Sequence, residues 1–171
     1  MNVNVLALPH PRSRSLFCSR FARFFRSLFP GAFRCSRSLP RSRNADLTLN
    51  VAANRALCAH LHSGGVSSWL YGGNANFYNI SSLEFESTMT ALADIADEVG
   101  DENTLVIPSV GPDYGKMMDQ AAVLAKMDRF RTAMVLPLDF PSTAEGAATG
   151  IRNFAKVFGK KVSTLAICRC L

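Results

Sequence analysis

No acidic residue occurs in the first 43 positions. They hold nine arginines and no Asp, Glu or Lys, whereas positions 44–171 hold ten Lys and Arg against thirteen Asp and Glu. The formal net charge of +6 therefore belongs to the leading segment, and the rest of the chain is mildly acidic. A nucleic-acid role argued from overall basicity is excluded for that remainder, because phosphate binding needs the positive charge on the folded surface. The five cysteines (Cys18, Cys35, Cys58, Cys168, Cys170) include no C-x-x-C pair, so neither a zinc framework nor a disulfide scaffold is written into the chain. No metal site and no cofactor are expected. No apolar run reaches the ~18 residues a membrane span requires. The dinucleotide fingerprint G-x-G-x-x-G and the phosphate loop G-x-x-x-x-G-K-[ST] are both missing. A reduced cytoplasmic protein, without nucleic-acid or membrane partners, is the plain reading.

What is present divides at about position 43. Residues 1–43 are rich in Arg, Ser and Phe, as in SRSLFCSRFARFFRSLF. Three readings stay open. Arg- and Ser-rich, acid-free segments have the composition of organelle transit peptides, which gives an organelle as the alternative location. A basic arm for nucleic acid or an anionic membrane surface is the second. The third, preferred for reasons given below, is a disordered or non-native segment. Residues 44–171 form the predicted domain.

The domain is organised around Gly64–Ile80, GGVSSWLYGGNANFYNI. The short apolar run Val66–Tyr71 rises from one Gly-Gly pair and stops at another, as a buried parallel strand does. The Gly72–Asn76 loop that follows is small, polar and uncharged. Glycines admit close approach of a ligand to the backbone, and Asn offers both donors and acceptors. The alternative is a strand-to-helix connection that needs glycines only for its turn.

Around that stretch, helices and strands alternate. A helix is predicted over Leu49–His62, with Asn50 as N-cap and apolar positions Val51, Ala52, Leu57, Cys58 and Leu61. The next helix begins at Ser81 or Ser82, has a core face of Leu83, Met89, Leu92, Ile95, Ala96 and Val99, and stops at Gly100. Then follow a strand over Thr104–Val110, a helix over Tyr114–Met127, a strand over Thr132–Leu136, a helix over Thr143–Phe158 and a last strand over Lys160–Ile167. Such alternation predicts an α/β protein with a parallel sheet. Polar loops follow three successive strands: Asn74 and Asn76, Asp113 and Tyr114, then Asp139 and Thr143. Ligand sites of parallel α/β proteins gather at this end of the strands. Asp113 and Asp139 are equally read as solvated turn formers, and Asp119 as facing water. His60 and His62 close a helix, where a cation suits the dipole, and their spacing is wrong for a metal pair. Trp69 is expected in the core.

From about Asp46 to Val162 the chain resembles the dihydrodipicolinate synthase / N-acetylneuraminate lyase family of class I aldolases. The motifs that carry the resemblance are GGVSSWLYGGNANFYNIS, LVIPSVGPDYGKMMDQA, TAMVLP and PSTAEGAATGIRNFAKVFGKKV. The resemblance implies a partial (β/α)8 TIM barrel, about strands 2–5 with helices 1–4. It also implies Schiff-base chemistry, in which a lysine on the sixth strand condenses with pyruvate or a related 2-oxo acid. A protonated imine is an electron sink that stabilises the adjacent carbanion. Gly72, Gly73, Asn74, Ala75 and Asn76 fall where many members have Gly-Thr-Thr-Gly-Glu. The implied substrate-binding residues are thus Gly72, Gly73, Asn74 and Asn76, with both threonine hydroxyls replaced.

Other departures concern the chemistry. Leu138-Asp139 stands where members often carry a tyrosine proton relay, and Ala166 where a tyrosine assists the imine. No residue matches the sixth-strand lysine. Lys156, Lys160 and Lys161 sit at a helix end and a strand start, where solvation is the expected role. No catalytic residue is therefore assigned, and whether the chain is an enzyme stays open. Family-like sequence flanked by compositionally foreign ends (Cys168-Arg169-Cys170-Leu171 at the other) is what a truncated or frameshifted gene would give. Hence the preferred reading of residues 1–43. The expectation is a fragment of a Schiff-base lyase, inactive alone, whose open strand edges invite pairing with another chain, a homo-oligomer included. Two alternatives remain. One is a non-catalytic carboxylate-binding α/β protein. The other is an unrelated α/β enzyme with a site among Asn74, Asn76, Asp113, Tyr114 and Asp139.

Overall fold

The computed structural model describes residues 42–72, 80–136 and 143–159, together with the backbone of 36–39. Four strands, β1 (Ser36–Leu39), β2 (Ser68–Tyr71), β3 (Leu105–Val110) and β4 (Met134–Val135), lie side by side in sequence order, every neighbouring pair parallel. Four helices alternate with them: α1 (Val51–Ser63), α2 (Ser82–Val99), α3 (Tyr114–Ala125) and α4 (Ala144–Phe158). The architecture is a partial α/β barrel built of consecutive strand–helix units. The last predicted strand, Lys160–Ile167, lies outside the described residues.

One expectation about the leading segment is corrected. Ser36–Leu39, read as part of a segment without fold, is a strand that pairs in parallel with β2, from Ser36 opposite Ser68 to Leu39 opposite Tyr71. Ladder pairing uses the backbone, so Ser-Arg-Ser-Leu can add a strand beside β2 without a hydrophobic signature of its own.

Local sequence signals fix the helix ends. Asn50 caps α1, its Oδ1 accepting from the Ala53 N–H at 2.8 Å. Ser81, of the two candidates, caps α2, with its Oγ 3.1 Å from the Glu84 nitrogen. Thr143 Oγ1 accepts from Gly146 N–H at 3.1 Å to open α4, and Gly159, at φ 67°, closes it in the left-handed region.

The core lies between the sheet and its helices. Trp69 and Tyr71 of β2, Val106 and Val110 of β3 and Val135 of β4 meet Phe85, Met89, Leu92 and Ile95 of α2, Met117, Ala121 and Leu124 of α3, and Ile151, Phe154 and Phe158 of α4. Phe154 and Phe158, one helical turn apart, stack with centroids 5.5 Å apart. Leu105, Ile107 and Ser109 of β3, Met134 of β4 and Leu136 just after it are also buried but stand outside that cluster. They face the other side of the sheet, the interior of the barrel. Burial on both faces is the usual condition of parallel strands.

Three sequence expectations about faces and lengths change. Leu83, placed in the α2 core, is 93 % exposed, and Phe85 and Thr88 are buried instead. At 100° per residue Leu83 lies on the opposite side of the helix from Phe85, so the face runs 85, 88/89, 92, 95/96. Leu83→Ser is accordingly expected to shift unfolding free energy by less than about 0.5 kcal/mol, as surface substitutions do, and urea denaturation would show it. On α1, Val51 and Ala52 are exposed, and Asn54 is buried beside Cys58. Asn54 Nδ2 donates to the carbonyls of Ser42 (2.9 Å) and Asn50 (2.7 Å), and its Oδ1 accepts from Ser42 N–H, tying the incoming turn to the helix. Finally, the strand predicted over Thr132–Leu136 shortens to Met134–Val135. The ladder forms only where Ser109 and Val110 provide partners, and Leu136 N–H adds one further bond to Val110 O at 2.8 Å.

Candidate functional site

Because all four strands run parallel, Leu39, Tyr71, Val110 and Val135 end at one edge of the sheet. The N-termini of α2, α3 and α4 begin at the same edge, directing the positive ends of their dipoles towards it, an environment that favours an anion. This edge is where the sequence placed its candidate loops.

The backbone there is shaped by two glycines. Gly72, immediately after β2, is buried and has φ 101°, and Gly111, immediately after β3, has φ 97°. Both values lie where a side chain is strongly disfavoured. Gly111 is held in place by α3, its N–H donating to Gln120 Oε1 at 2.8 Å in a fully buried bond. Gln120 is itself 1 % exposed.

Of the four substrate-binding candidates, Gly72 stands at this edge, whereas Gly73, Asn74 and Asn76 lie outside the described residues, as does Asp139. Asp113 is exposed at the start of α3 and makes no side-chain capping bond. Tyr114 is half-exposed, and its hydroxyl accepts from Asn153 Nδ2 of α4 at 3.1 Å, joining the two helices. Thr143 serves as the cap of α4. The edge therefore brings together Gly72, Asp113, Tyr114 and Thr143 at the level of the fold, without a nucleophile–base pair among them. Asp119, as expected, is exposed, and accepts a long contact of 3.4 Å from Ser82 Oγ.

Two residues at this edge escaped sequence reasoning. Gln120 and Ser109 are both buried, and among the described residues neither Gln120 Nε2 nor Ser109 Oγ has a hydrogen-bond partner. A polar residue inside the apolar period of α3, between Met117 and Leu124, was the available signal for Gln120. A lone hydroxyl in TLVIPSV was the signal for Ser109.

Elsewhere the chemistry is structural. His62 closes α1 and meets Trp69 edge-on at 6.4 Å, with Asp101 Oδ2 4.0 Å from its Nε2. Burial pushes the Cys58 thiol up to about 11, so it remains a neutral, inert thiol near neutral pH. Arg129 is anchored by three contacts. Its Nε is 2.7 Å from Asp97 Oδ1, and its guanidinium donates to Thr104 O (3.1 Å) and Ala96 O (3.4 Å). An open groove of about 450 Å³ lies between the 42–50 turn and α2, crossed by the Arg43–Glu84 ion pair at 2.6 Å. Among the described residues no three His, Cys, Asp or Glu side chains converge to hold a metal ion, and no helix is long and apolar enough to cross a membrane.

No protein-family model matches the chain, and no curated protein matches it by sequence. Solved structures do. Dihydrodipicolinate synthase from Bacillus clausii superimposes with a TM-score of 0.62 at 16 % identity, over 75 % of this chain and 43 % of that one. N-acetylneuraminate lyase from Proteus mirabilis gives 0.62 at 16 %, over 77 % and 43 %. A prophage protein of the dihydrodipicolinic acid synthase family from E. coli K12, solved in complex with pyruvate, gives 0.60 at 18 %, over 77 % and 42 %. The chain thus has the fold of a little under half the length of these proteins.

Proposed function

We propose that this chain carries the carboxylate-holding part of a dihydrodipicolinate synthase-type Schiff-base lyase and binds a pyruvate-like 2-oxo acid without condensing it. The observation that carries the reading is Gly72, buried at φ 101° where β2 ends, in a parallel sheet whose helices direct their N-termini to the same edge. Backbone N–H groups freed by such a turn suit a carboxylate, whose oxygens accept strong charge-assisted bonds. Gly73, Asn74 and Asn76 are proposed as the further contacts, with Asn amides in place of the hydroxyls that the family resemblance implies.

The reading assigns the imine-forming amine to no described residue. Imine formation needs an uncharged lysine amine facing the bound keto group. Among the described residues, Lys116 and Lys156 stand on α3 and α4 and Lys126 follows α3, all on the helical layer, while Lys160 and Lys161 lie outside the described residues. Treating the full chain with pyruvate and borohydride should leave its intact mass unchanged, whereas a reduced pyruvyl-lysine adduct would show that the chain condenses its ligand. We assign the open edges of the first and last strands to pairing with a further chain, a homo-oligomer included.

A further inference from the structure

We infer that the Ser109 hydroxyl is a direct donor to the ligand's carboxylate, a contact that neither the family resemblance nor the glycine loop assigns. The inference rests on the carboxylate reading above and deepens it.

Its geometry follows from register. Ser68 pairs with Leu105, Leu70 with Ile107 and Tyr71 with Pro108, so Ser109 stands one residue past the last β2–β3 pair, where Gly72 follows β2. Side chains alternate along a strand. Trp69, Tyr71, Val106 and Val110 face the helices, so Ser109 projects to the opposite face, the barrel interior, at the level of Gly72 and one residue below the end of β3. On its other side Ser109 pairs with Met134 of β4. The hydroxyl is therefore set among apolar neighbours, Ile107 two residues earlier and Met134 across the ladder.

In that setting it is 0 % exposed and has no hydrogen-bond partner among the described residues. Desolvating a hydroxyl without a partner is unfavourable, and a polar atom kept in that state calls for an explanation. A bound carboxylate supplies one, since an anion accepts from a hydroxyl more strongly than a neutral group does. The chemistry also fits what the neighbouring loop lacks: Gly73 and Asn74 occupy the positions where the resemblance implies two threonine hydroxyls. Ser109 restores one hydroxyl from the adjacent strand. Three other buried polar atoms share the lack of a hydrogen-bond partner among the described residues but not the placement, and one of them, Arg129 Nε, faces Asp97 Oδ1 in an ion pair. Gln120 is engaged through its oxygen as the brace of Gly111, and Thr88 belongs to α2 on the helical side of the sheet.

The test measures binding of pyruvate and of methyl pyruvate, whose carboxylate is masked, to the full chain by calorimetry, together with urea midpoints without ligand. Wild type, Ser109→Ala and Ser109→Thr are compared. Loss of one bond to a charged group should weaken pyruvate binding by about ten- to a hundredfold in Ser109→Ala. Methyl pyruvate should bind weakly to wild type and be insensitive to the substitution, and Ser109→Thr should retain most of the affinity. The ligand-free midpoint of Ser109→Ala should stay level or rise, because an unpartnered hydroxyl has been removed. A lowered midpoint would make the hydroxyl a structural one and overturn the inference. Unchanged pyruvate affinity in Ser109→Ala would also overturn it while leaving the carboxylate reading intact. Wild type that fails to bind pyruvate would remove both.

Discussion

Trp69→Ala should destabilise the protein by about 3–5 kcal/mol, the range for truncating a large buried aromatic. The indole is 0 % exposed at the centre of the sheet–helix core, and its Nε1–H donates to Val66 O at 3.1 Å in a fully buried bond. Truncation removes the apolar contacts with the helical layer and leaves the Val66 carbonyl without its indole donor. Whole domains are held by only ~5–15 kcal/mol, so this loss approaches the entire stability of a short sheet. The expected observation is a large fall in the urea midpoint at unchanged slope, or a chain already unfolded without denaturant. Trp69→Phe, which keeps most of the ring volume and gives up the N–H, should lose distinctly less. Equal losses in the two variants would mean that the hydrogen bond, and not the packing, holds this part of the core.

The second large effect is on binding. Gly72→Val should abolish pyruvate binding in a calorimetric titration while the far-ultraviolet dichroism of the helices persists. At φ 101° a β-branched residue is a steric outlier. Holding such a residue in a sparsely populated region costs about 1–3 kcal/mol, so the turn is expected to rearrange and withdraw its N–H groups. Gly115 provides the control. It lies in the first turn of α3 with open space where a Cβ would stand, and Gly115→Ala should be neutral or stabilising by up to about 1 kcal/mol. Wild-type affinity in Gly72→Val would remove the turn from the site.

How far the sequence reached can be judged element by element. Asn50, Ser81, Thr143 and Gly159 bound their helices as the capping rules imply, because a cap is a contact between residues a few positions apart. The alternation of strand and helix likewise gave a parallel sheet in sequence order. Leu83 shows the limit of reading a face by hydrophobicity. Its apolar side chain sits on the solvent side because the helix period, set by Phe85, Met89 and Leu92, allows only one face to meet the sheet. Ser36–Leu39 shows a different limit: a strand recruited by a neighbouring backbone carries no apolar pattern of its own.

The candidate site divides in the same way. Its position at the C-terminal edge of the strands and the glycine that opens the loop after β2 follow from the chain alone. So do the charge partition, with positive charge concentrated before position 44, and the absence of any motif for nucleotide or metal. These depend on composition and on neighbours in sequence, which local sterics and hydrogen bonding read directly. Tertiary structure alone decided that Gly72 is buried at a positive φ, that Gln120 reaches from α3 to brace Gly111, and that Ser109 faces the barrel interior with no hydrogen-bond partner among the described residues. Each of these depends on strand register and on a helix laid across it. Register is a cooperative outcome of the whole packed sheet, and a shift of one residue would exchange every inward side chain for an outward one.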